Sequence, residues 1–385
     1  MLDAQLIFPY WNRSFEQLQE QEQHFLVHVK QFVQSEVLPQ TRQWEREKSF
    51  PNEIWEKLGK VGLLSICLSK EYGGKGFSTF AYCEACREIA KGDPALAMNI
   101  AAINALCIMH LEKFGLKDQR EKYLLGMVKG EIKLAWALTE PDAGSDARRV
   151  KTFATPIKSQ PGFYHLDGQK MFITNGGHSD LMVLIARTSE NDLSVFLVEK
   201  NQPGIKHMER IHTVGVQASN TVRFTLEKVV GWHTPCTFEE AISLLYRGRL
   251  GIASMALGIA EKAFELTLEY SKERVQFNRK LSEMQSVQNM IADSLLEIEA
   301  SRLLIQEGAL SYDLGAHIPL TSSMAKLYAS QTANHVTNRA IQIHGGRGMT
   351  EDYLLEKLWR DAKLTEIGEG CSEIQRLIIS KQILK

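Results

Sequence analysis

One carboxylate near the end of the sequence stands where it could do chemistry. Glu369 lies between Gly368 and Gly370, in the run IGEGCSEIQR that ends at Arg376. Glycine on both sides removes side-chain bulk, so a ligand could come close to the backbone there. A carboxylate in such a place could serve as a general base. Glu366, one helical turn earlier, is the rival base, although a solvated or salt-bridged carboxylate is its commoner role.

A polar loop at residues 139–146, with the sequence TEPDAGSD, is a second candidate. It combines hydroxyl groups, a proline-fixed turn, small residues and free backbone N–H groups. Such a loop can hydrogen-bond the edge or the phosphates of a flat polar ligand. Taken alone, the loop is more often a well-capped surface turn.

A third candidate is the segment GQKMFITNG at residues 168–176. Phe172 precedes Thr174 by two positions, and in extended chain this spacing predicts that both side chains lie on one face of a strand. A ring that stacks beside a hydroxyl that hydrogen-bonds would suit a planar heterocycle. Taken alone, Phe172 is more often an ordinary core residue.

A glycine-rich bend at residues 342–349, with the sequence QIHGGRGM, is the fourth candidate. These glycines follow a helical pattern and not a strand, and G-x-G-x-x-G is incomplete, so the bend is not a Rossmann fingerprint. A bend of this kind between helices could still admit a cofactor to the backbone.

The composition narrows the range of partners. The chain has 385 residues, 44% of them hydrophobic and 24% charged, with a net charge of -1. Nothing in this balance favours a nucleic acid or a membrane surface, and no apolar run is long enough to span a bilayer. Residues 1–10 lack the patterns of a secretory signal or a transit peptide, which predicts a cytoplasmic protein.

The cysteines predict neither a disulfide framework nor a metal site. Six are spread over the whole length, which fits a reducing compartment. Cys83 and Cys86 form a lone C-x-x-C in a helical stretch, and a second pair at metal spacing is missing. His24 and His28 lie one turn apart without the glutamate of H-E-x-x-H, so the zincin pattern fails.

The elements that must position these candidates fall into three parts, an α+β arrangement. Residues 1–133 read as helical, with Pro39 dividing a long first helix and a single helix over 94–114. Residues 134–237 read as short strands, among them 181–186, 195–198 and the alternating run 221–227. Residues 238–385 are helical again, and the last two predicted helices cover 351–359 and 372–384.

Taken together, the motifs carry a resemblance. The chain resembles the acyl-CoA dehydrogenases through five motifs in family order, which are TEPxAGSD, GxKx[aromatic]ITNG, RxxF at 274–277 followed by Gln285, QIxGGxG and EGxSxIQR. The match covers nearly the whole chain. It implies an N-terminal helical domain, a middle β-barrel-like or β-sandwich domain and a C-terminal four-helix bundle.

The resemblance also implies FAD as the cofactor and a homo-oligomer, a dimer of dimers by family habit. The residues implied in FAD binding on the chain's own side are Trp136, Leu138, Thr139, Ser145, Phe172, Thr174, Cys371 and Glu373. Those implied at a neighbouring subunit's FAD are Arg274, Phe277, Gln285, Gln342, Gly345 and Gly346. Those implied at the substrate are Ser145, Tyr246, Arg249 and Gly370.

By this resemblance, Glu369 takes the α-proton of an acyl thioester and the β-hydrogen leaves as hydride to flavin N5, which gives a trans-2-enoyl thioester. Hydrogen bonds to the thioester carbonyl stabilise the enolate-like charge. Burial beside an apolar chain is expected to raise the pKa of Glu369. Some family members place the base before the arginine that matches Arg249. That residue here is Gly248, which leaves Glu369 as the base.

Several positions depart from the family pattern. Phe172 stands where most members have tryptophan, and Cys371 and Glu373 replace threonine and glutamine. Tyr246 replaces an aspartate found near CoA in several members. These departures keep alternatives open: a carrier-protein thioester instead of acyl-CoA, O₂ instead of an electron-transfer flavoprotein as acceptor, and a scaffold of the same fold that lost its cofactor.

Overall fold

The computed structural model describes residues 16–384, so the predictions made for residues 1–10 lie outside it. The described chain runs from helices through strands to helices, as the sequence predicts. The divisions at 133/134 and 237/238 remain proposed boundaries. They fall after the helix that ends at Lys129 and after the strand that ends at Thr237.

Amphipathic helices of the N-terminal part pack around one apolar core. Their bounds are Glu20–Phe32 (α1), Thr41–Glu47 (α2), Glu53–Val61 (α3), Thr79–Gly92 (α4), Pro94–Ala102 (α5), Met109–Phe114 (α6) and Lys117–Lys129 (α7). The predicted division near Pro39 is confirmed, because a π-helical turn and a 3-10 turn at Leu38–Gln40 separate α1 from α2. Proline has no N–H to donate, so regular helix hydrogen bonding is interrupted there.

The predicted helix over residues 94–114 is confirmed as one continuous helical run, with a π-helical segment inside it. A π-helical segment, Ile103–Ile108, separates α5 from α6 and adds a residue per turn. Among residues 16–384 this helical run alone is long and apolar enough to cross a membrane, but 94% of its most apolar window is buried inside the protein. Its length and apolarity therefore fit a core helix as well as a membrane span.

Seven strands of the middle part form one sheet that closes on itself. Their bounds are Leu134–Ala137 (β1), Phe153–Pro156 (β2), Phe163–Ile173 (β3), Leu181–Arg187 (β4), Leu193–Glu199 (β5), Ile205–Arg210 (β6) and Val222–Thr237 (β7). The pairing runs β4-β2-β3-β7-β5 and returns to β4, while β1 adds to β4 and β6 to β7. This closure confirms the β-barrel-like prediction. The start of β7 alternates between buried and exposed residues, as its sequence predicts.

The C-terminal part is a bundle built on long helices. Their bounds are Phe238–Ser243 (α8), Leu245–Glu273 (α9), Gln285–Asp313 (α10), Ile318–His344 (α11), Leu355–Thr365 (α12) and Ser372–Ile383 (α13), with a hairpin of Val275–Gln276 (β8) and Arg279–Lys280 (β9) after α9. Helices α9, α10 and α11 pack on one another, and α12 and α13 pack on α11. The helix predicted over 351–359 is confirmed only from Leu355 onward, because Leu354 has a left-handed φ of 61° that separates a 3-10 turn at Glu351–Tyr353 from α12.

A buried ion cluster joins the three parts. The Lys357 ammonium on α12 contacts the Asp361 carboxylate at 2.5 Å and the Asp93 carboxylate at 3.5 Å, and all three side chains are almost fully buried. Asp93 also accepts the Leu96 N–H at the start of α5, and Asp361 accepts the Val216 N–H from the middle part. The two carboxylates hold the pKa of Lys357 above its usual range. One cluster therefore fixes the N-terminal, middle and C-terminal parts against each other.

Replacing Lys357 by methionine is expected to lower the free energy of unfolding by about 3–5 kcal/mol, because two carboxylates then lie buried without their cation. Urea unfolding followed by circular dichroism measures the loss. The control is Lys206→Met, which breaks the half-exposed pair with Glu227 and is expected to cost about 1 kcal/mol or less. An equal loss in both variants would contradict the role given to the buried cluster.

Candidate active site

Glu369 lies in the loop between α12 and α13, in an uncommon backbone conformation. Its φ is 56°, in the left-handed region that residues other than glycine seldom adopt, and Gly370 follows with a φ of 93°. A side chain at Gly370 would be strained by that φ and would meet Gln375, whereas one at Gly368 would make ordinary contacts. Of the two flanking glycines, Gly370 is the one that the conformation requires.

Side chains from three helices hold this strained loop through its carbonyl groups. Arg249 on α9 donates from Nε to the Glu369 oxygen at 3.2 Å, and its guanidinium also stacks over the Tyr246 ring. Lys326 on α11 and Gln375 on α13 each donate to the Gly370 oxygen at 2.8 Å. Lys326 is fully buried, and burial lowers its pKa to about 8. The position of Glu369 is thus set by three elements of the bundle.

The carboxyl group of Glu369 is buried, although the residue as a whole is part-exposed. Its Oε2 atom has no hydrogen-bond partner among the described residues. Burial raises the pKa of Glu369 to about 7, and the nearby Arg249 and Lys326 cations offset part of that rise. A Cβ at Gly248 would lie only 2.8 Å from Oε2. The absent side chain at Gly248 therefore makes room for this carboxyl group.

Glu369 forms one wall of a cavity of about 110 Å³ at the meeting point of the three parts. The other lining residues are Asn99, Ala102, Ile103, Leu106, Cys107, Leu134, Ala135, Trp136, Thr174 and Asn175. Several buried polar atoms in this lining lack a hydrogen-bond partner among residues 16–384, namely both amide atoms of Asn99, the Trp136 Nε1, the Asn175 Oδ1 and the Glu369 Oε2. Unpaired buried polar atoms are rare in proteins, and here they surround one space.

The loop 139–146 is anchored by a buried ion pair beneath it. The Lys170 ammonium on β3 contacts the Glu140 carboxylate and the Leu138 carbonyl oxygen, each at 2.9 Å. Glu140 also accepts the N–H groups of Lys151 and Thr152. Burial lowers the pKa of Lys170 to about 8. The pair holds the loop on both sides of Thr139, which lies two residues after the end of β1.

The predicted pairing of Phe172 and Thr174 on one strand face stays a prediction, because the backbone between them is not a regular strand. Strand β3 changes register between Lys170 and Ile173, and Phe172 has a left-handed φ of 57°. The strand bulges there, so the alternation on which the prediction depended is interrupted. Phe172 is 54% exposed and Thr174 lines the cavity.

The structure brings the loop 139–146 and the C-terminal motif together. The Ser145 hydroxyl lies 3.6 Å from the Cys371 thiol, across the boundary between the middle part and α13. Glu373 is exposed in the first turn of α13, and its pKa is lowered because backbone N–H and the Cys371 side chain hydrogen-bond its carboxylate. The Glu373 charge is therefore committed to the start of its own helix.

The remaining predicted residues lie elsewhere on the surface. Arg274 and Phe277 belong to the β8–β9 hairpin, and Phe277 is 90% exposed at its tip. Gln285, Gln342, Gly345 and Gly346 are also exposed, and a Cβ at either glycine would meet nothing within 4 Å. None of these six residues lines the cavity at Glu369. The rival base Glu366 pairs with Lys363 at 2.5 Å, so its carboxylate already has a partner.

No role was predicted from the sequence for three important residues, Asn99, Lys326 and Lys170, although Lys170 lies inside the motif GxKx[aromatic]ITNG. Each is a polar residue at a position that the local pattern reserves for the core. Lys326 follows Ser322 and precedes Ala329 on the buried face of α11, and Asn99 lies within an almost continuous apolar run. A polar side chain on a buried face is the signal that could have found them.

The site residues fit a bound flavin. Unpaired polar atoms of Trp136 and Asn175 line the Glu369 cavity itself, and Phe172 and Ser145 are exposed on the motif segments that adjoin these two residues in the chain. A planar ring system with hydrogen-bonding edges satisfies such a set of groups, and a pyrophosphate fits the hydroxyl-lined loop 139–146.

Comparisons with known proteins follow the same division of the chain. The family descriptions "Acyl-CoA dehydrogenase, N-terminal domain", "middle domain" and "C-terminal domain" match residues 19–131, 135–229 and 238–384. The short-chain specific acyl-CoA dehydrogenase of Clostridium acetobutylicum is 36% identical over 370 residues, which are 93% of this chain and 96% of that protein.

Two further similar proteins bear on the cofactor and the partners. Subunit CarC of the caffeyl-CoA reductase-Etf complex of Acetobacterium woodii is 34% identical, over 89% of this chain and 92% of that protein. A structure of glutaryl-CoA dehydrogenase from Mycobacterium smegmatis in complex with FADH2 superimposes with a TM-score of 0.91 at 27% identity, over 97% and 96% of the two chains.

The raised pKa of Glu369 predicts a pH-dependent contribution to stability. Because the folded pKa, about 7, exceeds the ordinary value of 4.5, the protonated group favours the folded state. That contribution is complete below pH 4.5 and is lost as the pH rises through 7. We therefore compare the free energy of unfolding of Glu369→Gln with that of the original protein, by urea unfolding without substrate. The difference is expected to shift in favour of the variant by at most about 3 kcal/mol as the pH rises from about 5 to about 8. A difference that stays constant over that range would contradict the buried carboxyl.

Proposed function

The chain belongs to the acyl-CoA dehydrogenase family, and we propose that Glu369 is the base of its FAD-dependent oxidation of an acyl thioester. The observation that carries this proposal is the buried, unpartnered Glu369 carboxyl on the cavity wall. A carboxyl with a pKa of about 7 exchanges protons near neutrality, as a general base must.

The chain's own residues have three tasks in this reaction. Glu369 takes the α-proton, and its backbone N–H, which has no partner among the described residues, donates to the thioester carbonyl. That hydrogen bond stabilises the enolate-like charge left on the substrate. Arg249 and Lys326 keep both groups of Glu369 in place by holding the adjacent carbonyls. Bound FAD supplies the acceptor for the β-hydrogen and the two electrons.

Two contact regions would hold the FAD. On the chain's own side we assign Trp136, Leu138 and Thr139 to the flavin edge, Phe172 and Thr174 to the ring, and Ser145, Cys371 and Glu373 to the adjoining loop and helix terminus. The proximity of Ser145 and Cys371 supports the grouping of these elements. The Glu373 carboxylate is hydrogen-bonded at the start of its own helix. It is therefore not free to pair with a cation that accompanies the pyrophosphate.

A short acyl-CoA is the substrate that fits best. Ala102, Ile103 and Leu106 give the cavity at Glu369 an apolar wall that suits an acyl chain. The C. acetobutylicum relative is named for short-chain specificity. Tyr246 contacts Arg249, which bonds the Glu369 carbonyl oxygen, and Gly370 follows the base in the same loop. These positions support the assignment of both residues to the thioester end of the substrate.

An electron-transfer flavoprotein is the proposed acceptor of the electrons. The A. woodii relative is named as a subunit of a complex with such a protein. The half-exposed Phe172 ring gives an apolar contact point at the edge of the flavin region. That relative is a reductase, and oxidation and reduction of the same CH–CH bond use the same site, so the acceptor's potential sets the direction.

Glu369→Gln is expected to bind FAD normally but to slow substrate-dependent flavin bleaching by about 10³-fold or more, because an amide cannot take the α-proton. Anaerobic stopped-flow mixing with butyryl-CoA measures the rate, and the flavin absorbance of the purified variant measures FAD content. The matched control is Glu366→Gln, whose carboxylate pairs with Lys363 and which should bleach at nearly the original rate.

Two outcomes would overturn the assignment of the base. Bleaching at the original rate in Glu369→Gln would show that another group removes the proton. A loss in Glu366→Gln that matches the loss in Glu369→Gln, with FAD content unchanged, would transfer the role to Glu366.

We infer that a second copy of the chain completes the FAD site. Phe277 and Asn278 form a two-residue turn with φ values of 49° and 59°, so an exposed aromatic ring is held in a strained conformation. Helix α10 also exposes Leu296, Leu303 and Leu310 at seven-residue spacing, which favours a helical partner. Arg274, Phe277, Gln285, Gln342, Gly345 and Gly346 are the residues assigned to the neighbouring FAD.

Phe277→Ser is expected to weaken FAD retention several-fold while the chain stays folded, because the ring contacts only the neighbour's cofactor. FAD content after gel filtration with light scattering gives both the retention and the oligomeric state. The control is Phe153→Ser, an exposed phenylalanine on β2 outside every proposed site. A monomer that keeps full FAD would contradict the shared site.

A further inference from the structure

Asn99 has a buried side-chain amide that makes no hydrogen bond within the described part of the chain. It lies on α5 with 1% of its surface exposed, and neither Nδ2 nor Oδ1 has a hydrogen-bond partner among residues 16–384. Burying an amide without partners is unfavourable, so a position of this kind is normally filled by an apolar residue. A partner from outside the chain is the simplest reason for an asparagine here.

Asn104 on the same helical run shows what a structural asparagine looks like. Its Oδ1 accepts the Ile66 N–H at 2.9 Å. Its Nδ2 donates to the Leu63 oxygen at 2.8 Å and to the Ile100 oxygen at 3.0 Å. The fold thus satisfies one buried amide completely and leaves the other, little more than one helical turn away, with open donors and acceptor.

The unsatisfied amide borders the cavity that contains the Glu369 carboxyl. The wall next to it is otherwise apolar, formed by Ala102, Ile103 and Leu106 of the same helical run and by Leu134 and Ala135 of β1. Asn99 and Cys107 are the polar residues that the N-terminal helices contribute to this lining. An acyl chain that passes along this wall toward Glu369 therefore meets the Asn99 amide among apolar side chains.

We propose that Asn99 is a specificity-determining residue that hydrogen-bonds a neutral polar group, a hydroxyl or a primary amide, on the acyl chain of the substrate. This inference rests on the proposed thioester oxidation and names its substrate class. Asn99 offers donors and an acceptor together, and a hydroxyl or an amide matches both. A short acyl chain would carry that group near its end.

Charged acyl groups fit this cavity less well. A carboxylate would only accept hydrogen bonds and would bring a second negative charge next to Glu369. An ammonium would only donate hydrogen bonds. It would also lose its hydration in a cavity whose lining has no carboxylate besides Glu369. A plain alkyl chain would leave the Asn99 amide buried and unpaired. Each alternative fails for a different electrostatic reason.

Matched thioesters test the proposal through the rate of anaerobic flavin bleaching. The pair 4-hydroxybutyryl-CoA and pentanoyl-CoA differs by a hydroxyl in place of a methyl group, and 3-carbamoylpropionyl-CoA and succinyl-CoA differ by an amide in place of a carboxylate. We expect kcat/KM to favour the neutral polar member of each pair by at least about tenfold. In Asn99→Leu we expect the hydroxyl preference to vanish while pentanoyl-CoA is still oxidised.

The same measurement separates failure of this proposal from failure of the proposed function. If none of the thioesters bleaches the flavin of the original protein, the proposed thioester oxidation itself is wrong. If it oxidises hydroxybutyryl-CoA and pentanoyl-CoA equally, or if Asn99→Leu keeps the original preference, the oxidation stands and the role of Asn99 is overturned.

Stability supplies a readout that does not depend on turnover. Asn99→Leu removes an unpaired buried amide, so the thermal midpoint without substrate is expected to rise by about 2–4 °C. Asn104→Leu is the matched control and is expected to lower the midpoint, because three hydrogen bonds are lost. A lowered midpoint in Asn99→Leu would show that Asn99 already has a partner.

A changed flavin spectrum or a changed FAD content in Asn99→Leu would show that Asn99 faces the cofactor. Either this result or a lowered midpoint overturns the proposal.

Discussion

The buried contact between Lys357 and the carboxylates of Asp93 and Asp361 is the constraint on which the site depends. Asp93 caps the helix that carries Asn99, and Asp361 holds a backbone N–H of the middle part at Val216. Lys357 itself belongs to the helix that leads into the Glu369 loop. No single part of the chain contains the whole cavity, so its shape is only as well defined as this three-way junction. A charge cluster suits the task because its geometry is directional, whereas apolar packing alone would tolerate sliding.

Several buried polar atoms in the cavity lining have no hydrogen-bond partner among the described residues, among them atoms of Trp136, Asn175 and Glu369. Asn104 and the Lys170–Glu140 pair show how the fold pairs other buried polar groups. Each unpaired group reduces stability, so unpaired groups in the lining fit a site whose residue types serve binding. The left-handed φ of Glu369 belongs to the same pattern.

Much of this arrangement could be read from the sequence, for identifiable reasons. Helical and strand periodicities predicted the order of the elements, and Pro39 predicted the break between α1 and α2, because these features act locally. The family motifs predicted Glu369, and the contact of Ser145 with Cys371 accords with the grouping of their motifs. The bulge at Phe172 and the π-helical segment at Ile103–Ile108 could not be predicted, because both arise from packing against distant elements. Asn99 and Lys326 were missed since a single polar residue does not disturb a periodic pattern.

The close approach of Gly248 to the Glu369 carboxyl has a consequence for how such sites change over time. A Cβ at position 248 would overlap the space that the carboxyl occupies. A side chain at 248 therefore displaces the Glu369 carboxyl from its present position, because the atoms that it would meet are the flexible end of that side chain. An acid at 248 and an acid at 369 would compete for one space. A lineage that moves its base between these positions must resolve that competition, and a glycine at 248 resolves it in favour of Glu369.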